Sequence, residues 1–206
     1  MFGGDAAKIS KIQMFNDFGF IGKTVALTSQ GGRTEDMKLL SVDFEEVIGN
    51  DAFIGEHDDD SSALYEYLHD HKLLCIIFEE QKMTNQSTKA DLRENIFRGF
   101  KVIDLDDATI YEEAEKTWND IRHTILVDGL CSTPMYDRNG RLLINPNGSV
   151  KEQINLPKSR DHIIFLRGTG TDSNDKILVD GVRIYRQNYW IKGKFIADTL
   201  RSKDYL

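Results

Sequence analysis

Leu73 to Phe78 reads Leu-Leu-Cys-Ile-Ile-Phe, an unbroken apolar run set between Lys72 and Glu79. A run of that length, bounded by charge, is the clearest buried strand in the chain. The later segment "IFRGFKVIDL" alternates well enough for a strand that pairs with it, and "SSALYEYLHDHK" ahead of it is helical by cap and spacing. After Asp106 and Asp107 the apolar residues Ile110, Ala114, Trp118, Ile121 and Ile125 recur at helical spacing. That makes 107–126 the most secure helix, laid on the sheet by its stripe. Strands with a helix behind them predict a layered chain of α/β or α+β class: a mixed central sheet flanked by helices.

The flanking segments are weaker signals. Residues 5–19 carry a capping Asp5 and a terminating Gly19 and read as a short helix. "FIGKTVALT" (20–28) reads as a strand, "SQGGR" as a turn and "MKLLSVDF" as a second strand leading into a short "EEVIG" segment. "NDAFIGEHDDDSS" is acidic and aperiodic, a surface loop, and "QKMTNQSTKADLREN" is a polar connector. Beyond residue 131, "STPMYDRNGRLLINPNGSVKEQINLP" is loop-rich around an Asn139-Gly140 turn. "DHIIFLRGTGTDSNDK" is a strand running into a Gly/Thr/Ser loop, "NYWI" a short strand or turn, and "KGKFIADTLRSK" a terminal helix. No internal repeat or linker interrupts the pattern, so 1–206 is expected to be a single domain.

Two cysteines, Cys75 and Cys131, provide neither a disulfide framework nor metal-ligand spacing, which suits a reducing, cytoplasmic setting. No apolar stretch approaches the roughly 18 to 20 residues of a membrane span, so no membrane partner is expected. The net charge of −8 argues at first against nucleic acid. Its distribution does not: residues 1–120 hold 12 basic and 25 acidic side chains, whereas 121–206 hold 14 basic and 9 acidic. The C-terminal part is therefore +5, an asymmetry that permits a polyanion-binding face.

Lys23 raises the sharpest chemical question. Metal-dependent nucleases use a strand with Glu-x-Lys, because phosphodiester cleavage needs carboxylates to hold Mg²⁺ and a lysine near the attacking water. Here Ile21 stands in the Glu position. Asp36 in "DMK" and Glu80 in "EQK" are substitutes, but acid-x-Lys triplets arise by chance in a chain this charged. Other motifs are weaker still. His69 and His71 diverge around a helix. Asp58, Asp59 and Asp60 lack the pattern of a calcium loop. "RGTGT" is no phosphate loop, and no Gly-x-Ser-x-Gly is present. The positive signal is the basic tail. Arg160, Arg167, Arg183, Arg186, Lys192 and Lys194 are interleaved with His162, Tyr185, Tyr189 and Trp190, a mixture suited to phosphate and base contacts. Its bland counterpart is a terminal helix whose aromatics fill the core.

Taken in order, "IGKTVALTSQGGRTEDMKLLSVDFEEV", "YEYLHDHKLLCIIFEE", "FKVIDLDD…EEAEKTWNDI", "DHIIFLRGTGTDSND" and "NYWIKGKFIADTL" resemble the MutH and Sau-type restriction endonuclease family, which acts at GATC sites. The resemblance implies a restriction-endonuclease-like fold and double-stranded DNA as partner. It places Lys23 on the lysine of Glu-x-Lys and Lys72 on the lysine preceding the next core strand, both vestigial without the acids. Arg167 falls on the base-reading arginine, and Trp190 and Lys192 on the segment flanking the target. Arg186, Tyr189 and Lys194 complete the expected DNA-binding set. Gly168 departs from the family, where proline is frequent. Loss of the Glu makes the chain similar to the non-catalytic C-terminal effector copy of the Sau-type enzymes, which partners a catalytic nuclease domain. The resemblance further implies an N-terminal helical region beyond the short helix of 5–19, which this chain is expected to lack. Two alternatives stand beside it: a Mg²⁺-dependent endonuclease with a displaced carboxylate, and a protein-interaction module without nucleic acid.

Overall fold

The computed structural model describes residues 17–33, 35–57, 60–80, 95–146, 148–170 and 175–206. Most of the expected first helix, the polar connector, Asp58, Asp59 and part of the Gly/Thr/Ser loop lie outside them. The described elements are, in chain order, β1 (Phe20–Leu27), β2 (Met37–Ser41), α1 (Phe44–Gly49), α2 (Ala63–Asp70), β3 (Lys72–Glu79), β4 (Ile96–Asp104) and α3 (Ala108–His123). A π-helical turn (Thr124–Asp128) follows α3, and then β5 (Ser132–Pro134), β6 (Glu152–Ile154), β7 (Ile164–Thr169), β8 (Lys176–Val179), β9 (Val182–Ile191) and α4 (Gly193–Arg201). The chain is an α+β protein. No described helix is long and apolar enough to cross a membrane.

Chain contacts divide it into two compact units: one takes the described parts of Met1–Met37, Leu64–Glu112 and Ile191–Leu206, the other Lys38–Ala63 and Glu113–Trp190. Where the sequence leads to the expectation of one mixed central sheet, the described residues form three sheets, ordered β1-β3-β4, β2-β9-β7 and β5-β6, with β8 paired to β9.

In the first unit the apolar run becomes the middle strand. β3 pairs β1 in parallel, from Phe20 opposite Lys72 to Leu27 opposite Glu79, and β4 in antiparallel, from Lys72 opposite Asp104 to Glu79 opposite Ile96. A mixed sheet results. Leu73, Cys75, Ile77 and Ile103 are buried almost completely, and each large side chain so covered contributes roughly 1.5–3 kcal/mol. A bulge between Ile77 and Phe78 bends the β3-β4 ladder beside Gly99.

α3 forms where its stripe predicts. Asp107 caps its start, accepting from the Thr109 backbone N–H at 3.0 Å, and Ile110, Ala114, Trp118, Ile121 and Ile125 are all buried. In the second unit Arg122 donates to the carbonyls of Val47, Ile48 and Asn50, which end α1, and lies 4.8 Å over the Trp118 ring. A cation at the last carbonyls of a helix satisfies groups that have no intrahelical partner.

"NYWI" is far more than a short strand or turn. β9 runs for ten residues and is entered from β8 by a two-residue turn, with Asp180 at φ 44° and Gly181 at φ 76°. Positive φ at both central residues matches the right-handed twist of the flanking strands, and Asp-Gly is a favoured pair there.

The loop-rich segment 131–155 also has order of its own. Tyr136 pairs with Leu142 and Ile144 with Val150, each across a tight turn, and β5 and β6 close the base. The turns repeat: "YDRNGRL" and "INPNGSV" place Asp137 and Asn145, Gly140 and Gly148, Leu142 and Val150 eight residues apart. Asp137 N–H donates to Arg141 O at 2.8 Å and Asn145 N–H to Ser149 O at 2.8 Å, with Gly140 at φ 76° and Gly148 at φ 83°. These are twin three-residue hairpins, an internal repeat that the sequence reading lacks.

Candidate nucleic-acid interface and the Lys23 strand

Arg167, Arg186, Tyr189 and Trp190 belong to the second unit and Lys192 and Lys194 to the first. Alternation along the strands decides what the four former can do. Residues two apart share a face of a sheet. Thr169 Oγ1 donates to Arg186 O at 3.3 Å and accepts from Asn188 Nδ2 at 2.9 Å, while Asn188 Oδ1 accepts from Ser41 Oγ at 2.9 Å. That polar ladder runs across β7, β9 and β2. It puts Arg167 and Thr169 of β7 with Arg186, Asn188 and Trp190 of β9.

Arg167 is exposed, and its guanidinium lies 4.7 Å from the Trp190 ring centre and 5.3 Å from that of Phe165. A guanidinium this close to two aromatic rings is attracted by their π-faces, and its planar fork is the group suited to bidentate recognition. Arg186 is exposed on the same face. Gly168 has a local reason: a Cβ there would stand 3.0 Å from Gln187 Nε2 and 3.2 Å from Tyr185 Cβ, so glycine lets β7 lie tight against β9.

Tyr189 points the other way. It is 2% exposed, and burial together with the nearby Glu46 carboxylate pushes its hydroxyl well above the ordinary range. It is a core residue and offers no surface to DNA, which corrects the expectation from sequence. His162 is likewise buried, between Thr117 Oγ1 at 3.4 Å and Asp120 Oδ2 at 3.5 Å. This order of hydroxyl, imidazole and carboxylate has the look of a nucleophilic triad, but Thr117 is fully buried and donates to the Ile164 carbonyl at 2.6 Å. Its hydroxyl holds the fold. Arg160 pairs with Asp161 at 3.2 Å, and Lys194 with Asp198 at 2.7 Å, both exposed. Asp198 is held below the usual carboxylate range by Lys194. Glu46, Asp51, Glu56 and Asp60 line an open concavity of the second unit, whose charge repels phosphate.

In the first unit Lys23 takes its expected place on β1, but its row in the sheet is not that of a metal site. It pairs with Cys75, which pairs in turn with Lys101, so two lysines and a thiol share the face where a nuclease strand gathers acids. Lys101 donates to Leu200 O at 2.8 Å and lies 4.3 Å from the Tyr205 ring centre. The Cys75 thiol is pushed up to about 11 by burial, against the pull of Arg33 and Lys23. Arg33 itself is held below its ordinary value by burial, with Glu35, Asp36 and Glu80 close enough to oppose that shift.

Both displaced carboxylates considered from the sequence, Asp36 and Glu80, therefore sit in the field of a guanidinium. Asp36 also accepts from the Gly193 backbone N–H at 3.0 Å at the start of α4. This donor set does not fit Mg²⁺: the cation among the acids is an arginine. Among the described residues no three His, Cys, Asp or Glu side chains gather as a metal-ligand group. Lys72 pairs with Asp104 at 2.9 Å, both about half exposed. His69 Nδ1 lies 3.3 Å from the Tyr111 hydroxyl and His71 Nδ1 2.9 Å from Tyr67 O, so the two imidazoles have separate partners.

Period-two alternation could have separated Tyr189 from Trp190 in the sequence. The role of Arg33 was only partly visible there: Glu35 and Asp36 follow it directly, but Glu80 comes from just past the end of β3. Compared with known proteins, the chain matches no family model and no curated sequence.

Proposed function

We propose that this chain is a DNA-binding, non-catalytic domain of the MutH/Sau-type restriction endonuclease kind, with a restriction-endonuclease-like fold, serving a catalytic nuclease domain as effector or specificity domain at GATC-like sites. One observation carries the DNA reading: Arg167, set against Trp190, shares a sheet face with Arg186, and both arginines are exposed. A planar arginine is suited to the paired acceptors of guanine, and a second arginine beside it supplies a phosphate contact. The non-catalytic part rests on the Lys23 row and on Arg33 among the acids.

The test is a titration of the full chain against GATC and scrambled duplexes at fixed salt. Tighter binding to GATC, reduced by Arg167→Ala, supports the reading. Equal, negligible binding to both overturns it, and Mg²⁺-dependent nicking of plasmid abolished by Lys23→Ala would replace it with an endonuclease.

A further inference from the structure

The twin hairpins of 131–155 are an anomaly in the second unit. Their backbone is well bonded: Met135 N–H donates to Lys151 O, Lys151 N–H to Leu143 O and Leu143 N–H to Met135 O, each at 2.8 Å, which ties the three short strands together. Their side chains are nonetheless largely bare. Tyr136 is 60% exposed, Leu142 40%, Ile144 53% and Val150 37%. Directly opposed residues share a face, so Tyr136 lies beside Leu142 and Ile144 beside Val150, one exposed apolar pair on each hairpin. Two or three strands this short do not hold a fold by their own packing, and an apolar face left bare on such a scaffold marks an interaction surface.

The tip says what kind. The finger holds Arg138, Arg141 and Lys151 against only Asp137 and Glu152. Asp137 is engaged in the turn, where its Oδ1 accepts from the Asn139 and Arg141 backbone N–H groups at 2.8 Å each. Arg138, Asn139 and Arg141 are all exposed around it. In a chain of net charge −8, an exposed turn with two arginines and an amide, its acid tied to backbone, is complementary to a polyanion. Arginine and asparagine are also the side chains that pair bidentately with guanine and adenine.

We propose that this finger is a second DNA-contacting element, entering a groove of the duplex with Arg138, Asn139 and Arg141 leading. The major groove, about 12 Å wide, admits a two-stranded ribbon. The apolar pairs then meet thymine methyl groups and sugar edges, surfaces that water covers poorly. This deepens the DNA reading above and rests on it, but uses different residues.

The test is a fluorescence-polarisation titration of the full chain on labelled duplexes across a salt series, comparing wild type, Arg138→Ala/Arg141→Ala, Tyr136→Ser/Ile144→Ser and Arg167→Ala. Circular dichroism verifies that each variant is folded, and sedimentation equilibrium reports self-association. The arginine pair should weaken binding at least about tenfold and lower the slope of log affinity against log salt by up to about 2, close to one for each cation withdrawn from the field of the phosphates. The Tyr136/Ile144 pair should weaken binding with the salt slope unchanged. Wild-type affinity and slope in the arginine pair, with Arg167→Ala impaired, would refute the finger and leave the DNA reading standing. No binding by wild type would refute both. Self-association lost in the Tyr136/Ile144 variant, with DNA binding intact, would reassign the finger to contact between two copies of this chain.

Discussion

The Arg167 guanidinium rests 4.7 Å from the centre of the Trp190 ring, a contact between β7 and β9 that holds an exposed cation against an aromatic face. Trp190 Nε1 is buried without a hydrogen-bond partner, so the indole's place there comes from its ring and not its N–H. Arg167→Lys keeps the charge but loses the planar fork. It is expected to retain binding to scrambled duplex while losing about 1–3 kcal/mol of discrimination for the preferred site, read from paired titrations at one salt concentration.

The two thiols should behave differently. Cys131 is exposed and Cys75 buried. One equivalent of a thiol reagent is expected to react promptly with the native protein and a second only in denaturant. Prompt reaction of both would mean that the β1-β3-β4 sheet opens readily.

Cys75 also makes a pH prediction. Its thiol has an ordinary value of 9.0 and is raised to about 11 in the fold, so between those values the unfolded chain releases a proton that the folded chain keeps. Fewer protons bound in the unfolded state means stability that falls as pH rises. The contribution is fully present below 9 and lost toward 11. Urea denaturation of wild type and Cys75→Ala at about pH 7.5, below the shift, and about pH 10.5, near its upper end, should show wild type losing more, by up to about 2 kcal/mol.

Trp118 is 1% exposed, packed by Phe53 with ring centres 6.0 Å apart and covered by Arg122. Trp118→Ala should cost about 3–5 kcal/mol in chemical denaturation, the loss expected when a large aromatic leaves a cavity. Trp118→Phe should cost less than half of that.

Gly193 begins α4 where a Cβ would fall 2.1 Å from the Glu35 carbonyl oxygen. Backbone cannot yield as a side-chain tip can. Gly193→Ala is expected to cost about 1–3 kcal/mol by thermal melting, and Asp36→Ala, which removes the carboxylate at the same helix start, about 1 kcal/mol.

The elements legible in the sequence are those whose burial is local in pattern. The β3 run and the α3 stripe carry their partners' chemistry in their own periodicity, and the structure places both where they are expected. β9 was not legible because Arg183, Arg186, Gln187 and Asn188 interrupt its apolar residues. Asn188 can be buried only because Ser41 and Thr169 supply its hydrogen bonds, from 147 and 19 residues away. The Asp180-Gly181 pair and the eight-residue spacing of Gly140 and Gly148 were turn signals in the sequence all the same, passed over because neither lies beside a clear apolar alternation. At the candidate interface, arginines beside a tryptophan were readable. The face each residue takes depended on the strand's full length.

The finger's neck has its own consequence. Cys131 N–H donates to Asn155 Oδ1 at 2.8 Å, Asn155 N–H returns to Cys131 O at 3.2 Å, and Asn155 Nδ2 reaches Gly129 O at 3.0 Å. Departure and return of the chain are thus clasped at one point, and loop closure depends only weakly on what lies beyond it. The segment is in effect a cassette: an added eight-residue hairpin, or an exchanged one, lengthens the reach of the tip while the two ends at the clasp stay where they are.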